Sequence, residues 1–153
     1  MSGVGILQSC PGTYALLLSS TTDDTIRVGR LGKLPLQRGF YVYVGSAHGP
    51  GGVRSRLAHH LRPCRRPHWH IDYLRPKTRV EDIWVSYGPR LREHEWARRL
   101  GEMPEASMPL AGFGSSDCGC KSHLFFFRQR RGVQLAFLPA VIAGRVKEIK
   151  PHG

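Results

Sequence analysis

Apolar and polar positions along this chain fall into short blocks of two different periods. Tyr14-Ala-Leu-Leu-Leu-Ser is an apolar run behind Pro11-Gly12, the pattern of a buried strand. Thr25-Ile-Arg-Val alternates polar and apolar, as a half-buried strand does, and Gly29, Gly32 and Pro35 then punctuate a turn. Gly39-Phe-Tyr-Val-Tyr-Val-Gly sets β-branched and aromatic residues between glycines and predicts the strongest strand. These three strands are expected to form an antiparallel meander.

The period then changes. Val53, Leu57 and Leu61 recur every fourth residue and predict a helix that ends at Pro63. His68–Leu74 reads as a short helix, Asp82–Tyr87 as a strand, and Arg90–Leu100 as a helix introduced by Pro89. Gly112–Lys121 is a loop, His123–Arg128 a final strand, and Val133–Val146 an apolar patch, helical or irregular, interrupted by Pro139. Strands mixed with helices give an α/β (α+β) chain. No internal repeat or interdomain linker is visible, so residues 1–153 are read as one domain, with a core of about 10–128 and a C-terminal extension over 129–153.

Charge changes the picture more than composition does. Apolar residues make up 41%, as in a folded globular protein, but 23 Lys+Arg stand against 11 Asp+Glu, a formal charge of +12. From Thr25 to Ile71 no acid occurs, while Arg27, Arg30, Lys33, Arg38, Arg54, Arg56, Arg62, Arg65 and Arg66 do. A region of one sign attracts polyanions, and nucleic acid is the commonest of these. No apolar run reaches the roughly 18 residues needed to span a bilayer, so no membrane is expected as partner. The N-terminus lacks the pattern of a signal peptide. Cys10, Cys64, Cys118 and Cys120 make no secreted disulfide framework, and the reducing cytoplasm is the expected compartment.

Within the basic region one constellation carries chemistry. The strand Tyr41-Val-Tyr-Val-Gly-Ser-Ala delivers Tyr43 to its end, and the following helix supplies Arg56 and His60, four residues apart on one face. A phenol, a guanidinium and an imidazole suit a phosphodiester: one group to handle a proton, another to hold the anion. Arg54 and Arg62, with Arg65 and Arg66 in the basic loop that follows, are read as backbone-phosphate contacts of a nucleic acid.

The ordered set Gly12-Thr13-Tyr14, Tyr43-Val44-Gly45, Arg56 and His60 resembles the GIY-YIG nuclease superfamily. The longer strings GRLGKLPLQRGFYVYVGSAHGPGGVRSRLAHHL, HWHIDYL and FGSSDCGCKSHLFFF are similar to its Uri-type branch, found alone or fused to a DNA-repair glycosylase. The resemblance covers about residues 10–128. It implies a small central, mainly antiparallel sheet flanked by helices and an endonuclease that uses one divalent metal, Mg²⁺ or Mn²⁺. Residue by residue, Tyr14 and Tyr43 match the signature tyrosines and Arg56 the catalytic arginine. His60 matches a position that is His or Tyr in relatives, and His68 that of a further active-site histidine. Glu93 matches the metal-binding glutamate. The first signature carries Thr13 in place of isoleucine, the gap from Tyr14 to Tyr43 is long, and the loop from Gly45 to Arg56 has extra glycines and a proline.

Several assignments stay open at this level. Glu93 shares a helical face with Trp96 and Leu100, whereas Glu95 is a competing metal ligand beside Leu91 and Arg99. Spacing does not decide which tyrosine acts on water. A free phenol titrates near 10, and a cationic field is expected to lower that value. Ser115, Ser116 and Asp117 are candidate neighbours of the active site; Trp69 and Ile71 are read as core. Cys118-Gly-Cys120 with His123 is spaced more tightly than structural zinc cysteines, which disfavours zinc. The reading is a metal-dependent endonuclease acting on DNA rather than RNA, in repair or processing. A noncatalytic nucleic-acid-binding module is the alternative, and a metal-binding protein built on the His and Cys clusters is a third.

Overall fold

The computed structural model describes residues 7–88, 91–115, 119–137 and 144–145, so Pro89, Ser116, Asp117, Cys118 and Pro139 lie outside it. The element order is β1 (Gly12–Ser20), β2 (Asp24–Val28), β3 (Gly32–Leu36), β4 (Gly39–Ala47), α1 (Gly52–His60), α2 (His70–Leu74), β5 (Arg79–Tyr87), α3 (Leu91–Gly101), β6 (Ala106–Ser107), β7 (Leu124–Phe127), α4 (Arg130–Phe137) and β8 (Gly144–Arg145). The main sheet runs β6-β7-β4-β1-β5-β8, and every described pair in it is antiparallel. This is the small α+β architecture expected from the sequence.

β1 is unbroken in its apolar character because it lies at the sheet's centre and is covered on both faces. Tyr14, Leu16 and Leu18 join Tyr41, Tyr43, Ile83, Val85, Leu124 and Phe126 in one core, under α1 and α2. Ala15 and Leu17 join Val42, Val44, Trp84, Phe125 and Phe127 in a second core, closed by Trp96, Ala97 and Leu100 of α3 and Val133 of α4. The period-2 alternation of strand side chains thus separates two cores on opposite sides of one sheet.

The expected meander is not what forms. β1 pairs with β4 directly, and β2 pairs with β3 in a separate two-stranded sheet. Part of the segment read as a turn punctuated by Gly29, Gly32 and Pro35 is therefore a strand, and Pro35 is tolerated because each strand of a two-stranded ribbon is an edge that needs no second set of N–H bonds. Ile26, Val28, Leu34 and Leu36 of this hairpin pack into the α1/α2-side core. The C-terminal segment read as an extension supplies α4 and the edge strand β8, which pairs with β5.

Helix α1 starts without a side-chain cap. Instead the N–H groups of Val53 and Arg54 donate to the carbonyls of Cys10 and Gln8 at 3.0 and 3.1 Å, so the approach to β1 satisfies two orphan donors. Gly52 makes this possible: its φ is +57, and a Cβ there would collide with the Cys10 backbone.

The register places Tyr14 opposite Gly45. A Cβ on Gly45 would lie 2.5 Å from both the hydroxyl and the ring of Tyr14, which is fully buried and has nowhere to retreat. Gly45→Ala should therefore destabilise by about 1–3 kcal/mol through overpacking. Gly49→Ala, where nothing stands within 4 Å, should be near neutral. Urea unfolding of both variants checks this, and equal stability of the two would refute the packing argument. Thr13 is also fully buried, and its hydroxyl has no hydrogen-bond partner. Thr13→Val should raise stability by roughly 1 kcal/mol in the same assay, because it removes an unsatisfied polar atom at constant volume.

Candidate functional site

A cleft of about 440 Å³ opens where β4 ends. Its walls come from Tyr43, Gly45, Ser46 and His48 of β4 and the adjoining loop, Arg56 of α1, Trp69 before α2, Glu93 and His94 of α3, and Gly114 and His123 before β7. Five separate segments of chain thus converge on one polar recess, beside the end of the central strands.

Ser46 joins the two sides of the sheet. Its carbonyl accepts a hydrogen bond from Arg56 Nη1 at 3.1 Å, and its hydroxyl donates to Glu93 Oε1 at 3.1 Å. Arg56 lies with Cζ over the Trp69 ring, 4.2 Å from its centroid, a cation–π contact at the cleft. No direct Arg56–Glu93 ion pair occurs among the described residues. The cation and the carboxylate share a cleft with Ser46 between them.

Glu93 is 15% exposed, and its Oε2 faces His123 Nδ1 at 3.2 Å. Burial pushes its pKa up, but His123, the Ser46 hydroxyl and His94 outweigh burial and hold it below the usual carboxylate range. Glu93 is therefore ionised at neutral pH. Glu95, by contrast, is exposed and lines a different groove along α3. Geometry separates the two candidates that spacing left open.

The tyrosines occupy different depths. Tyr43 forms part of the cleft wall, while Tyr14 is sealed behind Gly45, its ring centroid 6.4 Å from that of Tyr43. The Tyr14 hydroxyl is 2.6 Å from His60 Nε2, a buried hydrogen bond. Burial, with the neighbouring Tyr43, raises the Tyr14 pKa well above 10; burial and Glu93 raise that of Tyr43. Arg56 pulls both down but is outweighed, so the expected lowering by a cationic field is overturned. Both phenols are neutral. Burial also lowers the His60 pKa to about 3, with Asp72 opposing and Arg56, His59 and Arg75 adding to the shift. A neutral imidazole protonated at Nδ1 would accept the Tyr14 O–H.

The remaining assignments divide clearly. Arg56 and His60 do share a side of α1, but only Arg56 reaches the cleft; His60 points beneath it to Tyr14. His68 is exposed and outside the cleft, its ring edge-on to Trp69 at 4.5 Å. Its backbone N–H donates to Asp72 Oδ2 at 2.8 Å, as does that of Trp69 at 3.0 Å, so Asp72 turns the chain into α2 and leaves the His68 ring outside. Trp69, read as core, packs against the core and also carries Arg56. Arg54, Arg62, Arg65 and Arg66 are all exposed, and Arg62 lines a shallow recess beside the cleft with Ser55, His59 and Trp69.

Sequence reasoning did not assign Ser46, His48 and His94 to a site, and considered His123 only for zinc. Ser46 and His48 follow directly on Tyr43-Val-Gly, which was the available signal. His48 Nε2 is buried at the cleft without a hydrogen-bond partner. His94 is brought to His123 only by the packing of α3 on the sheet, a signal that spacing does not carry.

Over residues 13–142 the chain matches the family model described as domain of unknown function DUF123. No curated protein and no solved structure matches it.

The His60 shift makes stability pH-dependent. In the unfolded chain the imidazole binds a proton as pH falls through about 6.5. In the folded chain it does so only near 3. This contribution is thus complete above the unfolded value and is lost progressively between the two, by at most roughly 1.4 kcal/mol per pH unit. His60→Gln should show a shallower decline of unfolding free energy from pH 7 to 4 than the parent chain. Parallel curves in urea titrations would contradict the burial assigned to His60.

Proposed function

This chain belongs to the DUF123 family, and we propose that it is a metal-dependent endonuclease of the GIY-YIG type, hydrolysing phosphodiester bonds in nucleic acid. The observation that carries this reading is the convergence of Tyr43, Arg56 and Glu93 on one cleft, with Tyr14 and His60 hydrogen-bonded directly behind it. The acid-free basic run over 25–71 supports a polyanion as partner, and exposed Arg54, Arg62, Arg65 and Arg66 suit backbone phosphates. DNA is the substrate class proposed, with repair or processing as the setting.

The residues present fit one hard divalent ion, Mg²⁺ or Mn²⁺. Glu93 is an ionised carboxylate at the cleft, and each of its oxygens has one neighbour, which leaves lone pairs for a ligand role. Magnesium keeps most of its waters, so a single carboxylate in a roomy recess is sufficient. When bound, such an ion supplies Lewis acidity that acidifies water and offsets phosphate charge.

The chain's own groups do the rest. Arg56, always charged, binds a non-bridging phosphate oxygen and stabilises the negative charge that grows on it in the transition state. Tyr43, kept neutral by burial and by Glu93, accepts the hydrogen bond of the attacking water at the cleft wall and orients its lone pair toward phosphorus. Tyr14 and His60 do not touch the substrate; they fix the floor against which Tyr43 and Gly45 are set.

Purified protein is expected to nick supercoiled DNA with Mg²⁺ or Mn²⁺ and not in EDTA. Arg56→Ala and Glu93→Gln should each reduce nicking by at least about 100-fold, the usual loss for one charge-stabilising group, while the far-ultraviolet dichroism is unchanged. Salt-sensitive DNA binding without turnover, in any metal, would favour a noncatalytic binding module instead.

A further inference from the structure

We propose that His94, Cys120 and His123 form a second cation site, selective for a soft transition-metal dication such as zinc, beside the nuclease cleft. The three offer ligand atoms that all lie within 4.8 Å of one another. His94 Nδ1 is 3.1 Å from Cys120 Sγ, and the two imidazole centroids are 6.2 Å apart. Tetrahedral zinc with bonds of 2.0–2.3 Å needs ligand atoms roughly 3.3–3.8 Å apart, so closing the trio takes about an ångström of side-chain motion.

The donor set selects the metal. One thiolate and two imidazoles are soft to borderline ligands, which suit zinc and not magnesium. His123 is buried, and its Nδ1 already faces the Glu93 carboxylate at 3.2 Å, the arrangement in which a ligating imidazole is oriented by a carboxylate through its other nitrogen. In that arrangement His123 would ligate through Nε2. Cys120 and His94 are half-buried and also line a groove of about 980 Å³ along α3, which gives the fourth tetrahedral position access to water.

A second trio, His59, Cys64 and Asp72, has similar spacing. It is a helix cap rather than a metal site. Both Asp72 oxygens are already committed, to the backbone N–H groups of His68 and Trp69 and to His59, and the Cys64 thiol donates to the Arg66 carbonyl in an exposed loop.

The site ties α3 to the loop before β7. It therefore fixes the helix that carries Glu93, and it does not depend on the chain being a nuclease. The test uses the full-length chain, stripped with chelator and reloaded with Co²⁺. One cobalt per chain should bind with a sulfur-to-cobalt charge-transfer band and the visible bands of tetrahedral cobalt. Cys120→Ser should abolish the charge-transfer band, His94→Ala should weaken binding at least tenfold, and Cys64→Ser should leave both unchanged. In the unmodified chain zinc should protect Cys120, but not Cys10, from alkylation mapped by mass spectrometry, a readout that needs no variant to fold. Absence of the band in the parent chain, its survival in Cys120→Ser, its loss in Cys64→Ser, undiminished binding by His94→Ala, or equal alkylation with and without zinc would overturn the site.

Discussion

The pairing of β1 with β4 in a single register is the constraint on which the rest depends. It sets Tyr14 against the bare Cα of Gly45 and puts Tyr43 one diagonal step away on the same face. A one-residue slip of β1 would carry Tyr14 to the α3 side, away from Tyr43, and bring Ala15 and Leu17 under α1. Because both faces of these strands are covered, such a slip would misplace two cores at once. The register is therefore held by apolar packing, not by the polar groups that exploit it.

From that register follows a division of charge. The side of the sheet under α1 presents Arg56 and the side under α3 presents Glu93, and the two meet at Ser46, one residue before β4 ends. Had they paired directly, each would have neutralised the other. Ser46 satisfies one through its carbonyl and the other through its hydroxyl, and so keeps a guanidinium and a carboxylate unpaired with each other in one cleft. The same closeness explains the tyrosines. Arg56 favours a phenolate, but burial and the nearby Glu93 disfavour it more strongly, so the cationic field that the sequence advertises is cancelled locally.

Long periodic signals were legible; cooperative and non-local ones were not. β1, β4, α1 and α3 each carry a run of apolar residues long enough to declare its period, and each stands where expected. β3 was hidden because Pro35 reads as a breaker, a rule that holds within a sheet but not in a two-stranded ribbon. β6 and β8 are two-residue strands that exist only because a neighbour offers an open edge. At the site, Tyr43 and Arg56 were visible because motif and helix spacing are local. His68 was misplaced because Asp72, four residues on, captures its backbone N–H and turns the ring outward. Ser46 and His94 acquire meaning only when α3 docks against the end of β4.

Helix α3 shows why non-local docking matters here. Its apolar stripe of Trp96, Ala97 and Leu100 anchors it to the sheet, yet its first turn projects Glu93 and His94 in different chemical directions. Glu93 is a hard oxygen donor facing the cleft; His94 is a nitrogen donor facing a thiol. A hard ion and a soft one do not compete strongly for such sets, since carboxylate oxygen suits magnesium and sulfur with imidazole suits zinc. His123 stands between them, with Nδ1 toward Glu93. On this arrangement the soft cation would hold the helix in place and the hard one would work at its edge. The position of Glu93 would then rest on its helical neighbour His94 and on His123, both of which wall the same cleft.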